Sequence, residues 1–154
     1  MIAVIQRINS AEVYADGVLS GRVGRGLYIL LGVLKGDGVS DARLLAEKIS
    51  KLRIFSDENG KMNLSVNDIG GETLVVSNFT LGANYSHGNR PDYFGAAEPS
   101  VAKELYEEFI LSLSALVSRC ESGVFGADMR TEMSTDGPVT IVMNSELLAA
   151  RKSN

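Results

Sequence analysis

The segment Leu74-Val75-Val76-Ser77-Asn78-Phe79-Thr80-Leu81 constrains the fold more than any other part of the chain. It begins as an unbroken apolar run shortly after the turn signal Gly70-Gly71. A run of strand length with no polar alternation reads as a β-strand covered on both faces, which requires structure packed on either side. Without a Gly or Pro break it then places Ser77, Asn78 and Thr80 where a core strand would stay apolar. Buried hydroxyls and amides cost free energy unless they find partners. The stretch is therefore either a hydrogen-bonded lock or a site. A second irregular stretch, Thr135-Asp136-Gly137-Pro138-Val139-Thr140, lies far downstream, and the two are read together.

At 154 residues the chain fits one domain, 1–154, with enough length to bury a full core. The apolar runs, such as Leu27 to Leu31, are too short to cross a membrane. No basic leader followed by an apolar stretch opens the sequence, so no secretion signal is read. The single cysteine, Cys120, forms no internal disulfide and fits a reducing cytoplasm; the same count excludes a cysteine-cluster metal site. Net charge is −4, with 15 basic against 19 acidic residues. That argues against a protein that coats nucleic acid, because such affinity rests on phosphate neutralisation. It leaves room for a nucleic-acid substrate held at one end.

Strand signals dominate the first third. Ala3 to Ile8 is strand-like, and Glu12 to Tyr14, Asp16-Gly17 and Val18-Leu19 read as a hairpin with a two-residue loop. Leu27 to Val33 is long enough to be a central strand. Ser40 or Asp41 is expected to cap a helix to about Lys51, with Ala42, Leu45, Ile49 and Leu52 on one face. Leu52 to Phe55 returns as a short strand before the turn Asp57-Glu58-Asn59-Gly60, whose spacing lacks the calcium-loop pattern. Residues 82–98 form a polar loop long enough to be functional or disordered. Pro99 opens a second helix to about Ser118, with Leu105, Phe109, Leu113 and Leu116 on one face. Short strands follow at 119–122, 128–133 and 139–143, and the tail 145–154 is expected to fray or form a short helix. The class is α+β: a largely antiparallel, curled or barrel-like β-sheet with two main helices packed outside.

Acid–base equipment is scarce. His87 is the only histidine and lies in the polar loop, so any Ser-His or Cys-His mechanism would depend on it. No metal site and no cofactor motif is read. Chemistry would then come from backbone dipoles, from hydroxyls such as Ser77 and Thr80, and from the substrate itself, since a main-chain oxyanion hole needs no special side chain. The structural alternatives stay open at this point. Ser77 and Thr80 can satisfy neighbouring backbone groups, and Asp136-Gly137-Pro138 can be a simple turn.

The chain resembles the D-aminoacyl-tRNA deacylases over nearly its full length. The resemblance is carried by Ile5-Gln6-Arg7, Leu31-Gly32-Val33, Arg53-Ile54-Phe55, Gly60 to Leu64, Gly88 to Pro91 and Phe125-Gly126-Ala127-Asp128-Met129. Two motifs weigh most: Ser77-Asn78-Phe79-Thr80-Leu81, similar to the family's Ser-Gln-x-Thr-Leu, and Asp136-Gly137-Pro138-Val139-Thr140, similar to its Gly-Pro signature. The resemblance implies hydrolysis of the ester of D-aminoacyl-tRNA, with activity on Gly-tRNA compatible. It implies a homodimer with active sites at the subunit interface, each holding the 3′ acceptor end. Ser77, Asn78, Phe79 and Thr80 would lie beside the ester and supply N–H groups, with the terminal 2′-hydroxyl assisting. Gly137-Pro138, joined by a cis bond, would enter the partner's site and refuse L-substituents. Arg7 and Met129 would belong to the substrate-binding set, and Lys61 and Arg90 would face the acceptor stem. Asn78 stands where the family usually has Gln. The alternatives are a tRNA editor of other selectivity and a non-catalytic module that binds through the 82–98 loop.

Overall fold

The computed structural model describes residues 1–150. In chain order the elements are β1 (Ile2–Ala15), β2 (Val18–Val23), β3 (Gly26–Gly32), α1 (Val39–Ser50), β4 (Phe55–Ser56), β5 (Met62–Leu64), β6 (Glu72–Ser77), a 3-10 turn (Phe79–Gly82), α2 (Pro99–Ser114), β7 (Cys120–Ser122), β8 (Met129–Asn144) and α3 (Ser145–Ala150). The main sheet runs β2-β1-β3-β6-β7, with β8 on the other side of β1. β1 is antiparallel to β2, β3 and β8, whereas β3–β6 and β6–β7 are parallel. The sheet curls until Ser20 Oγ of β2 donates to the Ser122 carbonyl of β7 at 3.0 Å. The expected curled α+β sheet is present, nearly closed into a barrel.

The apolar run is explained by two cores. Along β3, Leu27, Ile29 and Leu31 face the helices, while Tyr28 and Leu30 face the barrel interior; on β6, Val75 faces the helices and Leu74 and Val76 face inward. With both faces covered, alternation disappears from the sequence. α1 contributes Ala42, Leu45, Ala46 and Ile49 to the outer core, and α2 contributes Ala102, Leu105, Phe109 and Leu113. Inside the barrel the Tyr28 hydroxyl is partnered by Thr131 Oγ1 at 3.0 Å.

The Asp16-Gly17 hairpin forms as expected, with φ of 49° and 82° at the two loop residues, the left-handed pair that a tight hairpin needs. Other boundaries move. The two opening strand segments merge into one 14-residue β1, and 128–133 and 139–143 merge into one 16-residue β8. Each lies along the other for its whole length, so pairing carries both through their irregular middles. Gly38, not Ser40 or Asp41, precedes the first helical residue; Asp41 sits one turn in, and its Oδ2 accepts the Gly38 N–H at 2.9 Å. α2 ends at Ser114 rather than Ser118, because Asn67 takes the Leu116 carbonyl at 2.9 Å and Ser118 Oγ donates to the Gly71 carbonyl. Leu116 consequently faces solvent, and Val117 takes the core position. Of the 52–55 segment only Phe55 is in a strand, paired with Leu64. Residues 145–150 are helical, and the rest of the tail lies outside the described residues.

Candidate active site

The polar continuation of β6 is the end of the strand, not part of it. β6 stops at Ser77, and the Asn78 N–H makes a last bond to the Leu31 carbonyl of β3 at 2.8 Å. Asn78 is then an N-cap: its Oδ1 accepts the Thr80 N–H at 3.2 Å and also the Thr80 hydroxyl, starting the 3-10 turn. Asn is among the best capping residues because its short side chain reaches back to a backbone N–H. Thr80 is exposed and Asn78 only half-buried, so these groups are not the buried hydroxyls that strand continuation predicts. The turn seats directly on β3 because Gly32 has no side chain; a Cβ there would lie 2.8 Å from Leu81 Cβ and 2.9 Å from the Asn78 carbonyl oxygen.

Capping leaves an uneven supply of N–H groups at this strand end. Those of Asn78, Thr80 and Leu81 are bonded to the Leu31 carbonyl, Asn78 Oδ1 and the Asn78 carbonyl. The Phe79 N–H has no acceptor among the described residues. Ser77, Asn78 and Phe79 line a cavity of about 450 Å³, closed on other sides by Phe125, Met129 and the start of α2 at Pro99 and Ala102. No residue lining this cavity is an acid or a base. The first turn of α2 carries no acidic residue, but its N-cap residue, Glu98, is one and offsets the helix dipole on that side.

The second motif forms a separate corner. Gly137-Pro138 is a cis peptide, and both residues are exposed where the β1–β8 pairing shifts register. Arg7 fastens it. Its Nε lies 3.0 Å from Asp136 Oδ2 and 3.3 Å from the Asp136 carbonyl, while Nη1 donates to the Ile54 carbonyl at 2.7 Å. The Arg7 side chain is only 11% exposed, so this planar fork ties β8 to the segment after α1 from a largely desolvated position. None of Arg7, Gly137 and Pro138 lines the cavity of the same chain. One set of expected site residues therefore converges (Ser77, Asn78, Phe79 and Met129, with Thr80 tied to Asn78), and the other stands apart from it.

The remaining candidates recede. His87 is exposed in the 82–98 loop and does not line the cavity. Burial pushes the Cys120 thiol above its ordinary pKa, which leaves it protonated and unreactive at neutral pH. Asp57 Oδ1 is taken by the N–H groups of Asn59 and Lys61 within its own turn. Lys61 is exposed and enters no ion pair among the described residues.

A family model described as D-Tyr-tRNA(Tyr) deacylase matches residues 4–144. The chain belongs to this deacylase family. It is 53% identical over 148 residues to a protein named D-aminoacyl-tRNA deacylase from Anaeromyxobacter dehalogenans, covering 96% of this chain and 99% of that one. A protein of the same name from Persephonella marina is 52% identical over 148 residues, covering 96% and 100%. Among solved structures, the c-Myc DNA Unwinding Element Binding Protein superposes with a TM-score of 0.88 at 37% identity, over 94% of this chain and 98% of that one. A probable eukaryotic D-amino acid tRNA deacylase shares the fold, with a TM-score of 0.79 at 16% identity. The resemblance carried by the motifs is thus borne out along the chain.

Sequence reasoning placed only Met129 of its segment in the site and missed Phe125 and Gly126, which also line the cavity. The available signal is the glycine itself: Gly126 has φ of 80°, in the left-handed region that favours glycine. The sequence marks Pro99 as a helix start; in the fold that start is also a wall of the cavity.

Proposed function

We propose that the chain hydrolyses the ester joining a D-amino acid to the 3′ end of tRNA, releasing both. The observation that carries the reading is a nucleoside-scale cavity without a titratable lining residue, bordered by the unpartnered Phe79 N–H. Family membership and the names of the relatives at about half identity supply the substrate class.

A site so equipped works by placement and by backbone dipoles. Water adds to the ester carbonyl carbon, and the bond from that carbon to the ribose 3′-oxygen breaks. The proton from water reaches the departing 3′-oxygen by way of the neighbouring 2′-hydroxyl. Negative charge on the carbonyl oxygen is met by the Phe79 N–H, joined by the Thr80 N–H once Asn78 Oδ1 gives it up. One such donor contributes about 100- to 1000-fold in rate. The Ser77 and Thr80 hydroxyls position, and no protein nucleophile is required.

Chirality is assigned to Gly137-Pro138 of a second copy, held by the partner's own counterpart of the Arg7 clamp. Two features favour this arrangement. The corner is solvent-exposed and outside its own chain's cavity, and β8 pairs only with β1, leaving a 16-residue edge with Met133 and Val142 exposed. An uncovered edge strand of that length is a template for association. Backbone inserted at the Cα substituent refuses an L-side chain by exclusion, and glycine, having no substituent, passes the same filter.

The test is release of amino acid from D-Tyr-tRNA and L-Tyr-tRNA side by side. Loss of the D-ester alone is expected, with Gly-tRNA also cleaved. Equal stability of all three esters would sink the proposal.

A further inference from the structure

Phe79, Tyr85, Tyr93 and Phe94 are 60%, 79%, 38% and 80% exposed, and they are the exposed aromatic rings among the described residues. Phe79 lines the cavity, Tyr93 packs against Phe79, and Tyr85 and Phe94 belong to the same 82–98 loop as Tyr93. Phe79 belongs to both surfaces: it lines the cavity and meets Tyr93 edge-to-face, with ring centroids 5.1 Å apart. Through the Phe79–Tyr93 pair the apolar surface continues from the cavity onto the loop. The rest of the chain's aromatic residues are buried or half-buried, so the fold has no need of these rings at the surface.

The loop that presents them is tied down. Asn84 and Asp92 exchange backbone bonds of 2.8 and 2.9 Å, closing a neck with Tyr85 on one side and Tyr93 on the other. Asn84 Oδ1 accepts the Ser86 N–H and hydroxyl, and Asp92 Oδ1 accepts the Phe94 N–H. The far end is stitched to the segment after β3 by Lys35 N–H to the Gly95 carbonyl and Ala97 N–H to the Val33 carbonyl, each 3.0 Å. At the tip stand His87 and Arg90, and Arg90 enters no ion pair among the described residues.

We propose that this exposed aromatic group is a stacking ledge for the unpaired nucleotides that precede the terminal nucleotide of the substrate RNA. The inference rests on the deacylase reading and deepens it. A cavity of about 450 Å³ is the size of a site for one small ligand, so the neighbouring nucleotides must lie outside it. With a net charge of −4 the chain has little phosphate-neutralising power to hold them. Rings stacked on bases supply affinity that is independent of charge and tolerant of sequence, and unpaired RNA is recognised in this way. Arg90 adds a local cation for the backbone that passes the tip.

The test compares two esters, D-Tyr-tRNA and 3′-D-tyrosyl-adenosine, on the unaltered protein and on Tyr85→Ala, Phe94→Ala and Phe94→Trp. Loss of a stacked ring should raise KM for D-Tyr-tRNA by roughly 5- to 100-fold with kcat unchanged. Hydrolysis of the nucleoside ester should not change, and Phe94→Trp should keep the wild-type KM. Equal losses on both esters, or no change on either, would overturn the ledge. Equal losses accompanied by a fall in sedimenting mass would assign the rings to a second copy instead. In a separate arm, uncharged tRNA should bind more tightly than the same tRNA trimmed of its unpaired 3′ nucleotides, and Phe94→Ala should erase that difference. This arm judges the ledge even if neither ester is cleaved, an outcome that would sink the deacylase reading itself.

Discussion

Gly32→Ala is the sharpest steric probe of the proposed site, because the added methyl touches the turn after β6 without entering the cavity. Gly32 ends β3 with an ordinary φ, so the effect of a methyl group is one of space alone. That methyl would lie 2.8 Å from Leu81 Cβ and 2.9 Å from the Asn78 carbonyl oxygen, against relaxed contacts of about 3.5–4.0 Å and 3.3–3.6 Å. Both neighbours are backbone or next to it, so no flexible side chain can swing away. The turn carrying Phe79 and Thr80 must therefore move by about 0.5–1 Å. Overpacking of this kind costs about 1–3 kcal/mol, which lowers Tm by roughly 2–12 °C in a chain of this size. Misplacement of the reacting geometry by about 1 Å costs on the order of 100-fold in rate. Thermal unfolding and single-turnover hydrolysis of D-Tyr-tRNA read the two effects separately. A folded Gly32→Ala protein that cleaves D-Tyr-tRNA at the wild-type rate would refute the assignment of chemistry to this turn.

Arg7→Ala should leave the Ile54 carbonyl and Asp136 without their partner, at a cost of about 1–3 kcal/mol, and should let L-Tyr-tRNA be cleaved as the Gly137-Pro138 corner loosens; unchanged D/L selectivity in the folded variant would count against the clamp. Thr80→Ala keeps the N–H and should slow hydrolysis by less than the roughly 100-fold expected for a lost oxyanion donor. Complete loss with the fold intact would point to a hydroxyl nucleophile. Glu72 is held below its ordinary pKa of 4.5, first by the Gly24 N–H and then by Arg119. A lowered folded pKa means its stabilisation is full above the unfolded value and is lost as pH falls through the folded one. Acidification below the ordinary glutamate range should thus lower Tm less in Glu72→Gln than in the unaltered protein, as read by melts across that range.

How much of this was legible depended on whether the cause was local. Leu74 to Val76 could be read as a doubly covered strand because each neighbouring residue meets a different core, and composition records that. The Asp16-Gly17 hairpin was legible because two left-handed residues in a row leave few choices of side chain. The strand end was harder. Asn78 followed two residues later by Thr80 is a capping signal, but it sits in an otherwise unbroken apolar segment, and the period of the run outweighed the cap. The pairing of β1 with β8, residues 2–15 against 129–144, has no local signature at all, and it decides where Gly137-Pro138 stands. The site was named through motifs, yet Phe125, Gly126 and Pro99 enter it only because β7 and α2 pack beside β6, a long-range consequence that no window of sequence contains.

In the proposed reaction the bond is broken by backbone donors and the substrate's own hydroxyl, with no acid–base side chain from the protein. The most direct measurement is single-turnover hydrolysis of D-Tyr-tRNA charged on the 3′-hydroxyl of a terminal ribose that lacks its 2′-hydroxyl. The rate should fall by about 100-fold or more, the worth of a general acid–base group, while binding is retained. A rate equal to that of the normal substrate would overturn this mechanism and require a proton carrier among the protein's side chains.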